Sequence, residues 1–296
     1  MNYRHIFHAG NFADVFKHAV LTLLLKALTA KDKPFCYLET HAGGGRYDLD
    51  AEAARKTGEA RAGIGRLWPQ RERFPELADY FSAIAALNPG GALRFYPGSP
   101  AVARAVLRDT DRLLLYEVLP EECAPLRDAS TRDTRVHVFC QDGYAGLKAQ
   151  LPPRERRGLV LIDPPYETAT GTSLSRGPRL NPIAEADDFT RACEALRLAH
   201  ARWATGIFVL WYPVKARAPV ARLHRVLTAS GIRKVLCAEL MLHPEDTAFR
   251  LNGSGLVIVN PPWKLDRTLE SLLPRILAAL GGEAEGRAVV SWWVPE

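Results

Sequence analysis

With 296 residues, 47% of them hydrophobic and 24% charged, the composition is that of a soluble globular protein, long enough for one large α/β domain with an insertion or for two domains. Lys and Arg outnumber Asp and Glu by 39 to 33, a formal charge of +6 that favours a polyanionic partner. Widely spaced cysteines without a C-x-x-C pair indicate neither a disulfide framework nor a zinc site, and neither a signal-peptide layout nor a membrane-length apolar run is evident, so a reducing cytoplasm and no membrane are expected.

The chain opens on Tyr3-Arg4-His5-Ile6-Phe7-His8, readable as a solvated tail. Asn11 then looks like an N-cap, and apolar residues recur at helical spacing from Phe12 to about Ala30 (Phe16, Val20, Leu23, Leu24, Ala27). A helix placed just before the first strand can reach back over that strand's carboxyl end, which makes His18 a candidate site residue. Phe35 to Thr40 reads as the first strand, running into His41-Ala42-Gly43-Gly44-Gly45, where glycines let the backbone pass close to a ligand over the strand tips. No P-loop follows, so a ligand without phosphates is expected there.

From Leu49 to Ala92 the pattern is helical (Ala53 to Trp68, Pro75 to Leu87), a small insertion that either shapes a substrate groove or caps the sheet. The core resumes at Phe95, with Ser99 as N-cap and Pro100 opening a helix whose free N–H groups suit a ligand carboxylate. Strand Arg112 to Tyr116 ends in Glu117, an acid placed for the two hydroxyls of a ribose. Strand Val136 to Cys140 leads to Gln141-Asp142-Gly143, where Asp142 is placed to accept from an adenine amino group.

The apolar run Gly158 to Ile162 reads as a buried parallel strand halted by Asp163-Pro164-Pro165-Tyr166. That tip suits a flipped, amino-bearing base. Asp163 can accept one N–H, a main-chain carbonyl held rigid at Pro164 the other, and Tyr166 can stack on the ring. Strands at Ile207 to Trp211, Arg233 to Leu242 and Leu256 to Val259 complete the sheet, the last two as a final pair. The last strand ends in Asn260-Pro261-Pro262-Trp263, a second turn able to hold an amino group. It is set aside because it lies far along the sheet from the glycine-rich tip.

Glu39 to Gly45 together with Asp163 to Tyr166 resemble the class I S-adenosylmethionine-dependent methyltransferases of the adenine-N6 kind. Tyr3-Arg4-His5, Tyr96-Pro97-Gly98-Ser99-Pro100, Leu210-Trp211-Tyr212-Pro213 and Val290 to Glu296 bring the chain closer to 23S ribosomal RNA adenine-N6 methyltransferases of the RlmJ type. That resemblance implies a Rossmann-like sheet of seven strands, mostly parallel with the last pair antiparallel, forming a catalytic domain from residues 1–48 and 93–296 with a helical insertion at 49–92. It implies S-adenosylmethionine held by His18, His41, Ser99, Glu117, Asp142, Gly143 and Asp163, catalysis at Asp163 with Pro164 and Tyr166, and a substrate contact at Tyr3. Arg4, Arg176, Arg179 and Lys215 are candidates for phosphate contacts. The implied partner is 23S ribosomal RNA, with no obligate protein partner; a DNA adenine-N6 methyltransferase would share every catalytic residue. After Tyr166 the loop through Arg179 departs from the family pattern by its length.

Overall fold

The computed structural model describes residues 4–166, 182–245, 247, 251–282 and 284–296. Tyr3 and most of the loop after Tyr166, with Arg176 and Arg179, lie outside the described residues.

Helix α1 (Phe12–Thr29) starts where expected, with the Asn11 side chain accepting from the Asp14 amide at 3.0 Å. It is buried on nearly every face. Next come β1 (Cys36–Glu39), β2 (Arg46–Asp48), the short helices α2 (Glu52–Thr57), α3 (Glu59–Ala62) and α4 (Ile64–Leu67), then α5 (Ala78–Leu87) and β3 (Phe95–Pro97), which pairs with β2 in a small antiparallel sheet. Ile64, Leu67, Leu77, Tyr80 and Ile84 from this helical stretch are buried in the same cluster as α1.

The remaining elements are α6 (Ser99–Val106), β4 (Arg112–Tyr116), α7 (Pro120–Ser130), β5 (Val136–Phe139), α8 (Gly143–Gln150), β6 (Gly158–Ile162), α9 (Pro182–Arg202), β7 (Ile207–Val214), α10 (Arg217–Thr228), β8 (Val235–Met241), β9 (Gly253–Val259), α11 (Leu265–Ala279) and β10 (Arg287–Val294). Among the described residues no helix is long and apolar enough to cross a membrane.

Among the described residues the main sheet has eight strands, in the order β10-β8-β9-β7-β6-β1-β4-β5. This corrects the expected seven. The extra strand, β10, sits at the sheet edge, pairs with β8 alone and is only partly buried. Alternation along each inner strand builds two cores. Tyr37, Leu113, Leu115, Leu159 and Leu161 face α1 and α11, while Leu38, Leu114, Val160 and Ile162 face α9 and α10.

Register then aligns the tips. Glu39 of β1 lies opposite Leu115 of β4 and Leu161 of β6, so His41, Glu117 and Asp163 each stand two residues beyond one common row. Strand β9 runs antiparallel to both β7 and β8, which sends its end to the opposite edge.

Two further expectations are corrected. Gly98 caps α6 and Ser99 is its first residue, because the Ser99 hydroxyl is drawn away to donate to Glu39. Cys123 and Cys140 form a disulfide, since α7 carries Cys123 back over β5 to the residue that follows that strand. Cys36, Cys193 and Cys237 are free and buried.

Candidate active site

A cavity of about 1880 Å³ opens over the carboxyl ends of β1, β4, β5, β6 and β7, and every site residue expected from the sequence that lies among the described residues lines it.

At the β4 tip both Glu117 oxygens are fixed by backbone donors, the Gly43 and Leu119 amides at 2.8 Å each. Burial pushes the Glu117 pKa up, and those two amides oppose the shift. The carboxylate is thereby aimed rigidly, with lone pairs left over for ligand hydroxyls. Asp142 caps α8 by accepting from the Tyr144 amide through Oδ1 at 2.9 Å, which leaves Oδ2 for a ligand. Gly143 admits no side chain: an added Cβ would collide with the backbone of Thr40, so the start of α8 lies directly against the β1 tip. His41 accepts or donates at Nδ1 with the Thr40 hydroxyl, 2.8 Å away, and burial lowers its pKa to about 4.

His18 reaches the cavity from α1, as its position suggested. Its Nδ1 is 2.8 Å from the Tyr96 hydroxyl, which in turn meets the Tyr80 hydroxyl at 2.9 Å. Burial lowers its pKa to about 3, only partly offset by Asp14, so the ring is neutral at physiological pH. Its Nε2 is buried and has no hydrogen-bond partner among the described residues. A buried polar atom left bare on a cavity wall is satisfied when a ligand arrives. This orphaned nitrogen, the Glu117 carboxylate held by amides and the Gly143 cradle fit the cofactor that the sequence resemblance implies.

Asp163 terminates β6 beside this cradle. Lys17 donates to its Oδ2 at 2.6 Å and lies 3.1 Å from Asp14 Oδ1. Asp14 Oδ2 in turn meets His5 Nε2 at 2.8 Å and the Gly10 amide at 3.0 Å. Although burial acts to raise the Asp14 pKa, His5 and Lys17 hold it well below the usual carboxylate range. Asp163 therefore has one oxygen committed to an ammonium, while Oδ1 has no partner among the described residues.

Tyr166, with φ 45°, is buried; its hydroxyl donates to the Trp211 carbonyl at 2.7 Å and its ring lies 4.6 Å from Phe189. The aromatic surface expected to stack on a base is thus largely enclosed by the protein's own side chains. Pro164 and Arg4 line the cavity, Arg4 from an exposed position.

Over residues 32–174 and 180–294 the sequence matches the family described as "Ribosomal RNA large subunit methyltransferase D, RlmJ". The chain belongs to the RlmJ family. "Ribosomal RNA large subunit methyltransferase J" of Escherichia coli K12 is 44% identical over 296 residues, covering 100% of both chains. The protein of that name from Haemophilus influenzae is 43% identical, again over 100% of both. A crystal structure of a Legionella pneumophila protein, 35% identical, superimposes with a TM-score of 0.84 over 96% of this chain and 98% of that one.

Within this RlmJ-family site, sequence reasoning missed Lys17 and Asp14. A signal was present. Asp14, Lys17, His18 and Thr22 interrupt an otherwise apolar run from Phe12 to Leu25, and charged residues at buried helical positions need a partner or a ligand. Asn260 plays no part here. It sits at the far edge of the sheet, where its Nδ2 donates to the Ala204 and Gly206 carbonyls, each at 2.8 Å.

Proposed function

We propose that this RlmJ-family methyltransferase moves a methyl group from S-adenosylmethionine to the N6 amino group of an adenine in 23S ribosomal RNA. The observation that carries the reading is the common row of strand tips, which sets Asp163 beside the acids and histidines suited to the cofactor. When bound, S-adenosylmethionine supplies a methyl group activated on a sulfonium.

The protein's own residues do the positioning. Glu117 takes the ribose hydroxyls, Asp142 Oδ2 accepts from the cofactor's adenine amino group, and His18 Nε2 and His41 hydrogen-bond its polar atoms. The target amine is a weak nucleophile, its lone pair delocalised into the ring. Two acceptors that draw its N–H bonds out of the ring plane localise that pair. Asp163 Oδ1 is one acceptor and the Pro164 carbonyl the other, while Lys17 prevents the carboxylate from turning away. As the new N–C bond forms, the amino nitrogen sheds a proton toward Asp163. Holding the two reactants in line supplies most of the acceleration, since well-oriented pairs reach effective molarities on the order of 10⁵ M.

The test is transfer of labelled methyl to 23S RNA from a strain lacking the enzyme, beside duplex DNA of similar length, with nucleoside analysis of the product. Label in N6-methyladenosine, favouring RNA and abolished by Asp163→Ala, is the expected result. Equal or better methylation of the DNA would overturn the ribosomal reading.

A further inference from the structure

Asp163 divides the cavity. The tips suited to the cofactor, on β1, β4 and β5, all lie to one side of β6, and β7 with the following α10 lies to the other. About 1880 Å³ is more than one small-molecule ligand occupies, since such sites run from roughly 300 to 1,000 Å³. The β7 side is therefore left for the acceptor and the chain attached to it.

Helix α10 borders that side with a distinctive surface. Val220, Leu223 and Leu227 are buried and anchor it to the sheet. Ala218, Arg222, Arg225 and Val226 follow the i, i+4, i+7, i+8 spacing of a second stripe, and all four line the cavity. Arg222 and Arg225 are exposed, and neither makes an ion pair among the described residues. No Asp or Glu occurs anywhere in α10. At the start of α10 the carboxylates of Glu239 and Glu245 are taken up by other arginines: Arg217 pairs with Glu239 at 2.9 Å and with Glu245 at 2.5 Å, and Arg287 also holds Glu245. Those two acids are thus compensated by other arginines, and Arg222 and Arg225 are left lining the cavity, with Val226, 39% exposed, beside them.

We infer that this face of α10 carries the sugar-phosphate backbone of the RNA segment next to the target adenine, with Arg222 and Arg225 on phosphates and Val226 against a ribose or base. The inference rests on the RNA reading above. Arginines one helical turn apart on a rigid element suit a succession of phosphates, and each phosphate neutralised releases a counterion.

The experiment uses the full chain with R222E/R225E, and with R222Q/R225Q so that charge loss is separated from charge reversal. A fluorescent hairpin cut from 23S RNA is titrated across a salt series, cofactor affinity is measured by calorimetry, and kcat and KM for the hairpin are determined. Both variants should bind the hairpin at least about 10-fold more weakly at low salt. The slope of log K against log salt should shrink by about 1.4, the sum for two lost contacts at about 0.7 each. KM should rise with kcat at saturating RNA nearly unchanged, and cofactor affinity should match the parent. Arg267→Glu on α11, away from the cavity, should leave the slope unaltered. Parent-like RNA affinity and slope in both α10 variants, from an enzyme that methylates the hairpin, would overturn this inference alone. A parent enzyme that neither binds nor methylates the hairpin would overturn the RNA reading and this inference with it.

Discussion

Replacing Lys17 with Met keeps an unbranched stem in its slot on α1 and deletes only the ammonium. That ammonium lies 2.6 Å from Asp163 Oδ2 and 3.1 Å from Asp14 Oδ1, with side-chain exposures of 6%, 12% and 3% for Lys17, Asp163 and Asp14. Removing one member of a buried pair costs about 3 to 5 kcal/mol. The lower end applies because Asp163 borders an open cavity. Urea denaturation at pH 7 should therefore show a loss of about 3 kcal/mol. Freed from its ammonium, Asp163 also loses its fixed orientation. A hydrogen bond to a charged group is worth about 1.5 to 3 kcal/mol, so single-turnover methyl transfer should slow by about 10- to 150-fold. Cofactor affinity should change little, because Glu117, Asp142 and Gly143 stand on other strands. A K17M variant with the parent's transfer rate and stability would refute the argument.

Gly143→Ala places a methyl group against the Thr40 backbone and should cost about 1 to 3 kcal/mol of stability together with weakened cofactor binding, read by denaturation and calorimetry; parent-like values for both would show that the tips tolerate separation. Glu117→Ala should weaken cofactor binding by about 1 to 3 kcal/mol without unfolding the chain. Buried His18 refuses a proton that the unfolded chain accepts below its ordinary value of 6.5, until about pH 3. Its contribution to stability is complete above that window and should fall with pH inside it, by up to about 1.4 kcal/mol per unit. Acid titration of the denaturation midpoint should show this slope, and His18→Gln should flatten it.

The strand tips were legible because each is a local pattern: an apolar run, then an acid or a glycine, with parallel register doing the rest. Asp163 and Glu117 could be placed from that alone. The partner of Asp163 could not, because Lys17 lies 146 residues away in sequence and only the tertiary packing of α1 brings it over β6. The pairing of Cys123 with Cys140 was equally invisible, since cysteine spacing carries no signal when α7 and the return into β5 decide the approach. Tyr166 shows a different gap. Its type and position suited a base, but whether a ring is open or enclosed depends on Phe189 and Trp211, whose arrival the local sequence does not announce.

The reversal of β9 gives the chain a control experiment of its own. Two proline-proline turns that differ by an amide for a carboxylate and an indole for a phenol hang from neighbouring parts of one sheet, yet Asp163 ends a strand pointing into the cavity and Asn260 ends one pointing away. Trp263, at 88% exposure, has solvent where Tyr166 has walls. Such a motif behaves as a vector rather than a string. Changing Asn260 to Asp would write Asp-Pro-Pro a second time without placing a second carboxylate in the cavity, because the direction of the strand, not the letters of the turn, decides where it points.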